Sequence, residues 1–216
     1  MPSVTDLVKA ISGASEGLVQ WANRVGLEGK TLDEARAPKR DAGNRLHAEL
    51  ERLVNGDELA APADDAVIAL AEWWSTASDG VAEAWAEKPV RCQAYGVEVW
   101  GRIDVLTRND RDHETSGGTL PVEWVVWDAK VGKRPYVGVD NVFQVGIYQA
   151  IVALTNQETA GLPVVSGGVL RLSEDGAMRV VESPWRASDA IKFLEEAASI
   201  WRRQQEARAA ASGWVR

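Results

Sequence analysis

The chain has 216 residues and a mass of 23.5 kDa, which suits a single domain, and its 45% hydrophobic and 26% charged residues rule out a wholly disordered protein. A single cysteine, Cys92, rules out an intramolecular disulfide and an iron–sulfur cluster held by cysteines. The net charge of -8 argues mildly against a nucleic-acid partner, but a local cleft rich in acids is what a hard divalent cation requires.

The first part of the chain is predicted to be helical, because apolar residues recur there at three- and four-residue spacing. Helices are predicted over residues 3–12, 15–25 and 38–54, from Asp64 or Asp65 through Trp74, and as a short piece around 80–86. Gly56 follows the third helix as a stop signal.

From residue 88 the apolar pattern takes a period of two, which predicts strands. Strands are predicted over 88–94, 97–106, 122–130, 166–172 and 177–181, with a tight turn at Tyr95-Gly96, a surface loop over 107–121, and helices over 140–156 and 187–209. This order predicts an α/β (α+β) fold with one domain, 1–216. Its parts are a mainly helical region 1–86, a sheet core 87–182 and a closing helix 187–209.

The sequence lacks the features of membrane insertion or export. No apolar run approaches the ~20 residues that span a bilayer. The N-terminal residues lack the basic start and apolar stretch of a signal peptide. We therefore expect a cytoplasmic protein without a membrane partner.

The third predicted strand ends in a carboxylate and an amine. Because side chains alternate along a strand, Asp128 and Lys130 point the same way and Ala129 points to the opposite side. They form either an ion pair without chemistry or a metal site, in which Asp128 and the Ala129 carbonyl bind a cation such as Mg²⁺. Asp104 ends the preceding strand, and antiparallel pairing would bring it near Asp128, where two acids repel unless a cation lies between them.

Two further polar positions lie on predicted helices. Gln144 and Tyr148 are four residues apart and share one helix face, which is either an exposed edge or a border of the metal cleft. His47 lies on the 38–54 helix; a lone histidine is more often structural, although imidazole is a competent metal ligand.

These motifs, taken in order, resemble those of the PD-(D/E)XK nuclease superfamily. They are Gly101-Arg102-Ile103-Asp104, Asp128-Ala129-Lys130, and Gln144 with Tyr148, preceded by Gly43 and His47. Over roughly residues 40–150 the chain looks most like the RecB-like exonuclease branch, including compact phage and CRISPR-associated members. The resemblance implies a restriction-endonuclease-like mixed sheet flanked by helices, and a nuclease that uses Mg²⁺ or Mn²⁺. The cysteine count excludes the iron–sulfur variant.

The resemblance also assigns roles to matching positions. It implies that Asp104 and Asp128 bind the metal, with His47 as an accessory ligand, and that Lys130 activates water and stabilises charge on the phosphate. Gln144 and Tyr148 would support the lysine and contact the DNA backbone. Relatives often carry an acid near the first strand, so Glu87 is a further candidate metal ligand.

Expectations about the neighbouring residues follow from their types and positions. Arg102, Lys133 and Arg134 are predicted to contact DNA phosphates rather than to be merely solvated. Near a cation and partly buried, the Lys130 amine should have a lowered pKa. Trp100, Trp124 and Trp127 are expected to pack in the core.

The favoured function is a metal-dependent DNA exonuclease of recombination, repair or phage DNA processing. The alternatives are a catalytically silent DNA-binding or scaffold module of the same fold and a structure-specific endonuclease. The expected partner is DNA, single- or double-stranded and entered from its ends. A homo-oligomer or a recombination partner protein is left open.

Overall fold

The computed structural model describes residues 1–13, 16–60, 63–109, 122–156 and 162–213. The helices are α1 (Val4–Ser12), α2 (Glu16–Leu27), α3 (Leu32–Asn55), α4 (Asp65–Ala77), α5 (Val139–Thr155) and α6 (Ala187–Gly213). The strands are β1 (Glu83–Ala94), β2 (Val97–Asn109), β3 (Glu123–Gly132), β4 (Val164–Ser173) and β5 (Met178–Glu182). They confirm the predicted α/β class, a mixed sheet flanked by helices.

The five strands follow one another across the sheet in chain order. The β1–β2, β2–β3 and β4–β5 pairs are antiparallel, whereas β3 and β4 are parallel. A parallel pair needs a crossover, and α5 provides it. Core residues of α1, α5 and α6 cover one face of the sheet, and those of α3 and α4 cover the other. Asp104 of β2 and Asp128 of β3 are buried within this sheet.

The third helix begins earlier than the predicted residue 38. Thr31 caps it: its hydroxyl accepts from the Glu34 amide at 3.2 Å, and the Glu34 carboxylate accepts from the Thr31 amide at 2.8 Å. This reciprocal pair satisfies donors that the first helical turn leaves free, so α3 extends through Pro38. The longer helix carries His47 across the end of the sheet.

The helix predicted around 80–86 is wrong, because β1 already begins at Glu83. Trp85 pairs with Leu106 and stacks on Trp124, with ring centroids 5.8 Å apart. This cross-strand packing outweighs the helical pattern of the segment. The boundary drawn between the helical region and the sheet at residue 86 therefore shifts, and Glu87 lies within a strand rather than before it.

The hairpin of β1 and β2 reverses its inward-facing side partway along. Val99, Ile103 and Leu106 all pack in the core cluster under α5, so the inward position changes from odd to even numbers between 103 and 106. Val105 packs in the opposite cluster. Glu87, opposite this point on β1, has a φ of 49°, a left-handed backbone that L-residues seldom adopt.

The predicted turn between β1 and β2 is confirmed. Tyr95 and Gly96 both have positive φ, of 50° and 72°, as a two-residue hairpin turn requires. Residues 110–121 of the predicted surface loop and residue 15 of the second predicted helix lie outside the described part of the chain. Within that part, we find no helix whose length and hydrophobicity would allow it to cross a membrane.

Candidate active site

A cavity of about 610 Å³ opens where α3, α5, β1, β2 and β3 meet. It collects most of the polar residues singled out in the sequence: His47, Glu87, Arg102, Asp104, Lys130, Gln144 and Tyr148. Asp128 lies directly below it and is 1% exposed. Residues from five separate elements thus surround one space.

Three of these side chains form a cluster suited to a cation. Nδ1 of His47 lies 3.0 Å from Glu87 Oε1 and 3.5 Å from Asp104 Oδ1, and one ligand atom of each residue lies within 4.8 Å of the other two. Electron-rich atoms that converge in this way repel one another unless a proton or a cation lies between them.

Glu87 is held from two sides. Its second oxygen, Oε2, lies 2.8 Å from Nε of Arg102, which projects from β2. The left-handed backbone at Glu87 lies where the β1–β2 hairpin changes its inward-facing side. Strained backbone of this kind persists where the surroundings fix it, often at functional sites. Arg102, predicted as a phosphate contact, therefore also orients a carboxylate of the cluster.

The two aspartates meet where the pairing between β2 and β3 ends. The last pair in the register is Val105 with Trp127, and Asp104 and Asp128 are the adjacent residues on the two strands. There the strands separate: the Ala129 amide donates to Asp104 Oδ2 at 2.7 Å. The Lys130 ammonium lies 2.6 Å from Asp128 Oδ1 and 3.8 Å from Asp104 Oδ2. The amine thus lies between two buried acids.

The second carboxylate oxygen of Asp128, Oδ2, is buried and accepts no hydrogen bond from the residues that the structure describes. A buried carboxylate oxygen without a partner is costly, because it loses its hydration without replacement. It fits a site whose full set of partners includes a cation or water.

Burial and the neighbouring Asp128 charge raise the pKa of Asp104 from 3.8 to about 6, although Lys130, His47 and the Ala129 amide act in the opposite direction. A bound cation would reverse this balance, because it favours the ionised carboxylate.

In the protein without a metal ion, the pKa of Lys130 is raised above its ordinary value. Burial by itself lowers it, but the nearby Asp128 and Asp104 carboxylates raise it more, and the net direction is upward. In this state the amine is therefore a charged ammonium group. The lowered pKa predicted for Lys130 beside a bound cation stays a prediction for the metal-bound protein.

Tyr148 reaches from α5 to the backbone of β2. Its hydroxyl accepts a hydrogen bond from the Arg102 amide at 3.2 Å, and burial raises the pKa of the phenol to about 12. A Cβ at Gly101 would lie 2.6 Å from the Tyr148 ring, so glycine is required at that position. Gln144 lines the cavity one turn before Tyr148.

The remaining predicted residues lie around this centre. The Ala129 side chain packs in the core cluster beside α3, and its amide is the group that enters the site. Lys133 and Arg134 are exposed in the segment after β3 and do not line the cavity. Trp124 and Trp127 pack on Trp85 and Trp73, as expected.

The core expectation for Trp100 is wrong, because it is 46% exposed and lines the cavity. Sequence reasoning also missed other wall residues: Ser3, Thr5, Asn44 and Glu51. Asn44 and Glu51 flank His47 at helical spacing, and Trp100 alternates with Arg102 on β2. The helical and strand periods could therefore have indicated that these side chains share the cavity. Nothing in the sequence indicates that α1 closes the cavity.

The donor set fits a divalent metal ion. Two carboxylates and an imidazole offer hard oxygen and borderline nitrogen ligands, which Mg²⁺ and Mn²⁺ accept. The orphan Asp128 oxygen adds a further acidic atom beside the cluster. These observations support a cation at His47, Glu87 and Asp104.

Comparison with known proteins agrees with the geometry. A sequence profile of the PD-(D/E)XK nuclease superfamily matches residues 18–214. No curated protein matches the chain. Among solved structures, SSO0001 is similar with a TM-score of 0.43 and 15% identity, over 92% of this chain and 75% of that one.

A protein from Eubacterium rectale named "Putative exonuclease" is similar with a TM-score of 0.42 and 13% identity, over 99% of this chain and 82% of that one. Neither likeness bears on function at such TM-scores. The profile, in contrast, spans most of the sequence and includes every residue of the cluster. The chain therefore belongs to the PD-(D/E)XK nuclease superfamily.

Proposed function

We propose that this chain is a divalent-metal-dependent deoxyribonuclease, and specifically an exonuclease that hydrolyses DNA in recombination, repair or phage DNA processing in the cytoplasm. The observation that carries the proposal is the meeting of His47, Glu87 and Asp104 within 4.8 Å, beside the Lys130–Asp128 pair. Family membership supplies the reaction class, hydrolysis of a phosphodiester.

The metal would be held by His47, Glu87 and Asp104, with Asp128 and the Ala129 carbonyl as further oxygen ligands. When bound, Mg²⁺ or Mn²⁺ supplies charge neutralisation at the phosphate and a more acidic water. The protein contributes the fixed positions. The Ala129 amide anchors one oxygen of Asp104, and Arg102 anchors one oxygen of Glu87, so the opposite oxygens face the imidazole.

Lys130 serves as the positive charge beside the reacting phosphate. Both flanking carboxylates keep it protonated, so it stabilises negative charge on the phosphoryl oxygens rather than accepting a proton in the resting protein. Tyr148 and Gln144 form the adjacent wall, where they position Lys130 and contact the DNA backbone. Asp128 fixes the amine at 2.6 Å.

DNA contact must overcome the overall acidity of the chain. Arg102 is exposed at the rim of the cavity, and Lys133 and Arg134 are exposed beyond the end of β3. We assign all three to phosphate contacts. Each such contact releases counterions, so binding should weaken steeply with salt.

Digestion of end-labelled oligonucleotides tests the activity. Single- and double-stranded substrates should be cut with Mg²⁺ or Mn²⁺ and remain intact with EDTA. Asp104→Ala, Asp128→Ala and Lys130→Ala should each lower the rate by about 10²–10³-fold or more. Lys192→Ala, an exposed lysine on α6, is the matched control. Normal rates in any of the three folded site variants would refute the assignment.

The same assay separates the alternatives. An exonuclease degrades linear DNA and leaves covalently closed circles intact, whereas an endonuclease cuts both. Binding that resists EDTA, without cleavage under any metal condition, would indicate the silent module. Gel filtration with multi-angle light scattering establishes whether the protein works as an oligomer.

A further inference from the structure

A second cavity, of about 350 Å³, shares the lining residues His47 and Lys130 with the first. It therefore adjoins the candidate metal cluster at His47. The other residues along the second cavity are Lys39, Gly43, Ala129, Val131, Tyr136, Gly138, Asn141 and Arg171. It lies beside the last residues of β3, between α3 and the start of α5.

The two cavities differ in the charges along their walls. The first has the acids Glu51, Glu87 and Asp104 beside two cationic side chains, whereas the described residues along the second include no carboxylate. The second instead has the cations Lys39 and Arg171 in addition to Lys130. Although the net charge of the chain is -8, this local cationic wall attracts an anion directly, without a metal ion between them.

Arg171 is built into this wall. It pairs with Lys130 in the parallel register of β4 and β3, and its guanidinium lies against Gly132. Its Nε donates to the Arg134 carbonyl at 3.3 Å. A side chain at position 132 would displace the guanidinium, so the glycine allows Arg171 to lie across the end of β3.

Gly43 supplies an independent observation. It lies in the interior of α3, where glycine is less stable than alanine. A Cβ placed there meets no described atom within 4 Å, so packing inside the protein does not require glycine. Gly43 lies between Lys39 and His47 at four-residue spacing, on the stripe of α3 that faces the cavity. A bare backbone on that stripe permits close approach of a ligand.

We propose that the second cavity is a track for one DNA strand, which it presents to the metal cluster as a single strand; this rests on the proposed nuclease function. Lys39 and Arg171 bind successive phosphates, and the chain passes against the bare backbone at Gly43. Tyr136, which is 71% exposed at the cavity wall, offers a ring on which a base can stack.

Fluorescence anisotropy of a labelled 12-nucleotide strand, with Ca²⁺ in place of Mg²⁺, measures the track directly. Lys39→Ala/Arg171→Ala should weaken strand binding by about tenfold, and should reduce the slope of log K against log salt by about 1.4. Tyr136→Ala should weaken it about fivefold or more. Lys192→Ala/Arg203→Ala removes the same charge from exposed positions of α6 and should change neither quantity.

Gly43→Ala should change stability and strand binding in opposite directions. It should raise the melting temperature by about 1–4 °C, because alanine favours the helix, while it weakens strand binding several-fold. Gly26→Ala is the matched control, since Gly26 is also helical with open space around it. It should stabilise α2 without affecting binding. Lys39→Ala alone changes an exposed side chain and should leave the fold intact, so weaker strand binding in this variant reports on the track.

Wild-type affinity and salt slope in Lys39→Ala and in the double variant would overturn the track, as would wild-type binding in Gly43→Ala. So would binding of a blunt duplex as tight as that of the single strand. Hydrolysis of bis(p-nitrophenyl) phosphate, too short to fill the track, should stay normal in all these variants. If the wild-type protein cuts no oligonucleotide with Mg²⁺ or Mn²⁺, the proposed function fails, whereas the track is judged by anisotropy alone.

Discussion

Replacing Asp104 by Asn should stabilise the metal-free protein at neutral pH. The pKa of Asp104 is raised from 3.8 to about 6 in the fold, so ionising it above pH 6 costs about 3 kcal/mol relative to the unfolded chain. Asparagine removes that cost, and its side-chain oxygen can still accept from the Ala129 amide. For a chain of this length the gain corresponds to a rise of about 6–12 °C in melting temperature.

The pH dependence gives the sharper measurement. Because the pKa of Asp104 is higher in the folded protein, ionised Asp104 lowers the free energy of unfolding by its full amount above pH 6. This destabilisation diminishes as the pH falls from 6 towards 3.8. Thermal melts in EDTA should therefore show a gap between variant and wild type that is large at pH 7.5 and small at pH 4.5. Mn²⁺ should stabilise the wild type but not the variant. Asp57→Asn, at an exposed carboxylate, is the control. An unchanged gap across this range would refute the reasoning.

Three further changes probe the surroundings of the site. Lys130→Met should lower cleavage by about 10²-fold or more yet tighten Mn²⁺ binding in calorimetry, because the ammonium competes for the same acids; weaker Mn²⁺ binding would contradict this. Tyr148→Phe leaves the Arg102 amide without its acceptor and should cost about 1 kcal/mol in urea denaturation; an unchanged midpoint would refute the contact. Gly146→Ala places a Cβ into the Trp185 ring and should cost about 1–3 kcal/mol, so a stabilised variant would be inconsistent with the packing of α5.

The alternating pattern of β3 predicted the central part of the site because it fixes the side of the strand to which each side chain points. Once β3 is a strand, Asp128 and Lys130 must share a face. The antiparallel pairing expected between β2 and β3 is confirmed, and Asp104 and Asp128 adjoin its last pair, Val105 with Trp127. The apolar runs likewise located all five strands to within a few residues at most ends, with β1 the exception.

What the sequence left out depends on distances between residues remote in the chain. The segment around Trp85 is part of β1, where Trp124 stacks on the Trp85 ring, and no local pattern indicates that contact. The left-handed backbone of Glu87 and its pairing with Arg102 follow from the hairpin reversal. The direction of the Lys130 pKa depends on two carboxylates at 2.6 and 3.8 Å, which spacing alone cannot supply.

The candidate site draws His47 from α3, acids from both strands of a hairpin, Lys130 from β3 and Tyr148 from α5. A growing polypeptide that stops before α5 already contains the ligands but has no wall to hold them in place. The complete cavity therefore assembles only after α5 has been synthesised, so the last wall of the site is also the last part of it to leave the ribosome.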